Sequence, residues 1–215
     1  MTYNIDGHVL QFTDHIRDLG VYHDSRLKYD KHISNIVHKA FSRSVLILKC
    51  FHSRDYRLLT LAFSTYVRPL LEFSSQVWSP HYKYLIDKLE SVQRFFTRKL
   101  SGLKNLSYFF RLKMLGLETL ERRRLNYDLM LYYKILHGHC DIVLSFASGS
   151  SVTHGNNFKL AKQTCSIDVR KFFYDNRIVD AWNSIPYTVV SASSINSFKR
   201  KLRAVNLDRF LTIVE

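Results

Sequence analysis

Apolar and polar positions alternate at short range near the amino end and then settle into a helical period. His8–Phe12 and Arg17–Tyr22 are short apolar-bearing stretches separated by Thr13-Asp14-His15, a pattern that predicts a β-hairpin. From Asp30 to Phe51, the residues Ile33, Ile36, Val37, Ala40, Val45 and Leu48 recur near one face, which predicts a helix capped by Asp30. A second helix is expected from about Arg54 to Trp78, bent or broken at Pro69. The third, His81–Leu100, has the clearest stripe: Leu85, Leu89, Val92, Phe96 and Leu100 on one side, with Asp87, Ser91, Arg94 and Arg98 opposite.

Ser107–Leu115 reads as a short helix stopped by Gly116, and Glu118–Leu136 as a long helix apolar around most of its circumference and therefore largely buried. The small polar residues of 145–157 read as a linker. Beyond it, the pattern predicts a strand at Phe158–Leu160, a helix around Tyr174–Trp182 and another from Ser194 to Val205. The expected architecture is mainly α: a helical bundle with a small amino-terminal β-hairpin and a weakly patterned helical carboxy-terminal region. Its expected divisions are 1–28, 29–144, the linker 145–157, and 158–215.

Composition supports a packed protein. Apolar residues make up 46% of the 215, including 15 Phe and 13 Tyr, whereas 7 Gly and 3 Pro leave little material for a turn-rich β sandwich. There are 32 Lys and Arg against 18 Asp and Glu, a net charge of +14 that favours an anionic partner, nucleic acid first. Cys50, Cys140 and Cys165 are widely spaced and suit reduced thiols, so the expected location is intracellular, in nucleus or cytoplasm. No apolar run approaches the ~20 residues of a membrane span.

The search for a self-sufficient active site finds little. Two-metal nucleotidyl transfer needs carboxylates converging on cations about 3.5–4 Å apart, yet the sequence has no adjacent Asp pair, and Asp14, Asp18 and Asp24 read as turn and surface residues. His137, His139 and Cys140 lack the second ligand pair of a structural zinc site. The basic residues are more informative. Between Ser91 and Leu117 stand Arg94, Arg98, Lys99, Lys104, Arg111 and Lys113 with no acidic residue among them, interleaved with Phe95, Phe96, Tyr108, Phe109 and Phe110. Such a strip can track a phosphate backbone, with most of its aromatics in the core. Arg122, Arg123 and Arg124 spread over an arc of ~200°, so they cannot all face one ligand. Lys199, Arg200, Lys201 and Arg203 form a further basic cluster.

Tyr66–Pro80, reading YVRPLLEFSSQVWSP, is too particular for a generic amphipathic helix. It resembles a signature of non-LTR retrotransposon reverse transcriptases of the jockey-like and chicken-repeat-like kind, located downstream of the polymerase core. Other segments are similar in the same order: Asp18-Leu19-Gly20-Val21, Leu89-Glu90 through Gln93-Arg94, Leu115-Gly116-Leu117, Leu120-Glu121 with Arg122-Arg123, and Trp182-Asn183-Ser184-Ile185-Pro186. The likeness extends from about Asp6 to Leu202.

The resemblance implies a palm remnant with a primer-grip-like hairpin at Leu19-Gly20 and a helical thumb that cradles template–primer. It also implies a carboxy-terminal extension, in a truncated piece of an RNA-directed DNA polymerase. The palm's paired aspartates are absent, so the chain alone is not expected to be an enzyme, and no cofactor is expected; Mg2+ would belong to the palm. Expected partners are an RNA–DNA hybrid or other nucleic acid, and the missing palm and fingers region. The nucleic-acid-binding residues expected are Leu19, Gly20, Arg94, Arg98, Lys99, Lys104, Arg111, Lys113, Arg122 and Arg123. The alternative is an inactive interaction fragment whose apolar surface packs against the polymerase core.

Overall fold

Asn4–Ile5 (β1) pairs antiparallel with His8–Val9 (β2), and His15–Asp18 (β3) with Val21–Asp24 (β4), in the computed structural model, which describes residues 3–9, 11–142 and 158–215. The expected single hairpin between 8–12 and 17–22 is thus replaced by two tighter ones. Asp6 and Gly7 have φ of 49° and 81°, Leu19 and Gly20 of 44° and 91°. Positive φ at both central residues matches the twist of the flanking strands. Gly7 and Gly20 adopt it at little cost, and so they, rather than Thr13-Asp14-His15, set the register.

Helices follow. α1 is Asp30–Cys50, α2 Tyr56–Tyr66, α3 Arg68–Glu72, α4 Ser75–Trp78 and α5 Lys83–Lys99. The stripe on α5 is buried as its period predicts: Leu85, Leu89, Val92, Phe96 and Leu100 are each at most 2% exposed. Burying side chains of this size stabilises by roughly 1.5–3 kcal/mol apiece. Asp30 does not cap α1. Tyr29 holds that position in a left-handed conformation, and the Asp30 carboxylate instead accepts a 2.6 Å hydrogen bond from the Tyr84 hydroxyl.

The segment expected to run from Arg54 to Trp78 is three helices. The first break comes at Val67, so that Pro69 falls in the first turn of α3, where its missing N–H costs no bond. Trp78 is fully buried, donates through Nε1 to the Phe73 carbonyl at 2.8 Å, and meets His32 edge-on at 5.1 Å. The most distinctive stretch of the sequence thus places Val67, Leu71, Ser75 and Trp78 in the core and leaves Tyr66, Phe73 and Val77 exposed.

α6 is Tyr108–Leu115, with Ser107 capping its start and Gly116 (φ 62°) ending it; α7 is Leu120–Leu136, capped by Thr119. After residue 158 come α8 (Asp168–Lys171), α9 (Tyr174–Arg177), α10 (Val179–Asn183), α11 (Tyr187–Val190), α12 (Ile195–Leu202) and a 3-10 turn at Asp208–Phe210. The helix expected over Tyr174–Trp182 is interrupted at Ile178. Phe158–Leu160 is not a strand: Asn183 bonds both the N–H and the carbonyl of Leu160, and Trp182 donates to the Phe158 carbonyl. Side chains take the place of a neighbouring strand. The expected linker 145–157 lies outside the described residues.

Two apolar cores result. The first joins Val21 to α1–α5 and the start of α7 at Leu120; the second packs Leu129, Tyr132 and Tyr133 of α7 against α9–α12. α7 serves both, which is why its apolar residues run around so much of its circumference. No helix among the described residues is long and apolar enough to cross a membrane.

Candidate nucleic-acid interface

The end of α5, the loop 100–107 and the start of α6 enclose an open cleft of about 1400 Å3. The loop's shape follows from three residues. Gly102 turns the chain with φ 76°, Leu103 is buried as an anchor, and Ser107 accepts the N–H of Phe110 at 3.3 Å to start α6. Into the cleft face Arg94, Arg98, Lys99, Lys104 and Arg111, and no carboxylate lines it.

These five cations differ in availability. Arg98, Lys99 and Lys104 are exposed, and Lys99 lies over the Phe95 ring at 5.8 Å. Arg94 pairs with Asp87 at 3.3 Å, but both side chains are 39% exposed; such a pair is worth at most ~1 kcal/mol and a phosphate can replace it. Arg111 is largely buried. Its Nε donates to Thr97 Oγ1 at 3.2 Å and a terminal nitrogen to the Leu106 carbonyl at 2.8 Å. It braces the loop and adds positive charge to the cleft floor.

Beneath the cleft lies a polar network that the pattern of apolar residues did not disclose. The Tyr108 hydroxyl donates to Glu90, Gln93 Nε2 donates to that hydroxyl at 2.9 Å and to the Glu118 carbonyl at 2.9 Å, and Leu120 N–H donates to Glu90 at 2.9 Å. Burial pushes the Glu90 carboxyl up, against the pull of Tyr108 and of the Arg124 charge. The Tyr108 ring is thereby fixed with Arg94 at 5.3 Å and Arg111 at 5.5 Å from its centroid. The signal available in the sequence was Glu90 and Gln93 standing beside Leu89 and Val92, polar residues on the edge of a buried stripe. Of the interleaved aromatics, Phe96 stacks on Phe63 at 4.5 Å in the core, while Phe95 meets Phe41 at 5.4 Å and lines the cleft.

The other expected contacts are not brought to this cleft. Lys113 lies by a separate hollow with Glu118 and Asp208. Arg122 donates to Asp208 at 2.9 Å and to the Val205 carbonyl at 3.0 Å, tying α7 to the carboxy-terminal segment. Arg123 grips Glu72 with two nitrogens, at 2.5 and 3.1 Å. Both arginines are therefore committed to ion pairs rather than presented to a ligand. Leu19 and Gly20 form the β3–β4 turn, away from the cleft lining. A Cβ on Gly20 would meet the Phe73 ring at an ordinary 3.6 Å, so this glycine is required by its φ of 91° and not by a close approach.

Among the described residues no group of three or more His, Cys, Asp or Glu side chains is placed to hold a metal ion. His137 packs on the Tyr133 ring at 4.2 Å.

No family model matches the chain, and no solved structure matches it. A Caenorhabditis elegans protein described as uncharacterized is 30% identical over 126 residues, covering 57% of this chain and 64% of that protein. The match thus spans somewhat less than two thirds of the relative's length.

Proposed function

We propose that this chain holds nucleic acid by its phosphate backbone in the α5–α6 cleft, without reading sequence. In this reading it is the template–primer-holding, thumb-like part of a LINE-type RNA-directed DNA polymerase. The catalytic carboxylates and their Mg2+ ions belong to other residues of that assembly. The observation that carries the reading is the convergence of Arg94, Arg98, Lys99 and Lys104 on one open cleft without a carboxylate in its wall. Cations so placed release condensed counterions when they meet phosphates. Four of them predict a slope of about −3 to −4 for log affinity against log salt.

Fluorescence anisotropy with a labelled RNA–DNA hybrid, duplex DNA and single strands across a salt series tests this. The expected result is tight binding at low salt that weakens along that slope and favours the hybrid. An affinity indifferent to salt, or no binding at low salt, would overturn it.

A further inference from the structure

A second surface lies at the opposite end of α5 from the basic cleft. Its 17 residues span roughly 25 Å at 1.5 Å per residue. There Tyr82, which precedes α5, forms with Tyr29, His81 and Phe172 the aromatic walls of a hollow of about 510 Å3, within the size range of pockets that take one ligand group. His81 stacks on Phe172 with centroids 3.8 Å apart and planes 4° from parallel.

Much of the rim of this hollow is apolar. Leu27, Val77, Ile167, Val169 and Phe173 line it and are all exposed, Ile167 by 66%. Phe73, between α3 and α4, is 61% exposed, and its ring lies beside the Leu19-Gly20 turn. Apolar side chains in this number on one face mark an interaction surface.

The backbone around the patch is held in conformations that side chains resist. Leu19, Leu27, Tyr29 and Ser74 all have φ between 44° and 62°, at a cost on the order of 1–2 kcal/mol per residue. The Leu27–Tyr29 turn is locked by Asp24, whose carboxylate accepts the N–H groups of Arg26 at 2.9 Å, Lys28 at 3.3 Å and Tyr29 at 2.8 Å. Strain maintained by a dedicated anchor is a feature of ligand clamps.

Charge identifies the occupant. Arg26, Lys28 and Arg177 line the hollow against one carboxylate, Asp168. Arg177 is occupied by Asp128 and the Gln76 carbonyl, whereas Lys28 lies over the Tyr82 ring and neither Arg26 nor Lys28 has an ion pair among the described residues. Lys171, over the neighbouring Phe172 ring, adds a further positive charge. We infer that this face docks an acidic, amphipathic segment of a partner protein. A large apolar side chain of the segment enters the hollow, and its carboxylates face Arg26, Lys28 and Lys171. The inference does not rest on nucleic-acid binding by the cleft.

The test is anisotropy of a labelled helical peptide with Leu and Phe on one face and Glu on the other. The control peptide carries Lys in place of every Glu. The Glu peptide is expected to bind saturably and the Lys peptide not at all. Val77→Glu and Phe173→Glu should each weaken the Glu peptide at least about tenfold, the loss seen when a buried interface anchor is removed. Lys28→Glu should weaken it several-fold, and the pair Arg98→Ala and Lys99→Ala should leave it unchanged. Exposed positions make these variants compatible with folding, checked by their melting curves. Equal binding of both peptides, binding of neither, or loss of binding on substituting Arg98 and Lys99 instead of Val77 would overturn the inference. So would concentration-dependent self-association abolished by Val77→Glu, which would make a second copy of the chain the occupant.

Discussion

Two basic runs, Arg94 to Lys104 and Arg122 to Arg124, look alike in sequence and serve opposite purposes in the fold. In the first, Arg98, Lys99 and Lys104 face open solvent in a cleft without carboxylates. In the second, Arg122 is tied to Asp208 and Arg123 to Glu72. Arg124 is 2% exposed, with none of its guanidinium nitrogens hydrogen-bonded among the described residues; burial lowers its pKa against the field of Glu90, Glu121 and Asp128. The lesson is that a count of cations measures attraction to an anion only where the fold leaves them unpaired. α7 spends its arginines joining two cores, because it is the element that both cores share.

The comparison breaks most readily at Glu72, which accepts from Arg123 and from the Tyr127 hydroxyl and lies 3.6 Å from Arg68. Glu72→Ala strands partly buried arginines, and denaturant unfolding should show a loss of about 3 kcal/mol. The salt slope for nucleic acid should stay where it was. Should the slope change as well, the α7 arginines are part of the interface.

The converse substitution is Arg98→Ala with Lys99→Ala. Two lost phosphate contacts should reduce the salt slope by about 2, while unfolding free energy moves by less than ~0.5 kcal/mol, as for exposed side chains outside the core. An unchanged slope would show the cleft to be solvated surface.

A smaller effect concerns a basic residue that burial keeps uncharged. His32 packs on Trp78, and its Nδ1 accepts the Tyr22 N–H at 3.4 Å. Burial, with the nearby His23 and Lys39 charges, lowers its pKa from 6.5 to about 4. The unfolded chain therefore takes up a proton before the folded one as pH falls below 6.5. Stability should be full above that pH and decline between 6.5 and about 4. Melting temperatures across this window, compared with those of His32→Leu, check it; the variant should lose most of the pH dependence attributable to this site.

Much of the helical framework was legible along the chain. The stripe of α5, the Ser107 and Gly116 boundaries of α6 and the buried character of α7 all follow from period and capping, which are local. The one hairpin expected was misplaced, and two formed, because their turns depend on positive φ at Asp6-Gly7 and Leu19-Gly20, which outweighs the alternation of a few neighbouring residues. The strand expected at Phe158–Leu160 failed because side chains of α10 satisfy its backbone. Part of the basic cleft was visible as a run of cations free of acidic neighbours. The buried network next to it was not, since Glu90, Gln93 and Tyr108 meet only when α5 and α6 pack.

The sequence by itself determined that the chain is mainly helical, rich in buried apolar stripes and strongly basic, because period and composition act over a few neighbouring residues. Only the tertiary structure decided which cations remain available. Availability depends on partners distant along the chain, 51 residues for Arg123 and Glu72 and 86 for Arg122 and Asp208. It also decided that Trp78 is core while Phe73 and Val77 of the same segment join an apolar, cation-flanked face that is exposed among the described residues at the far end of α5.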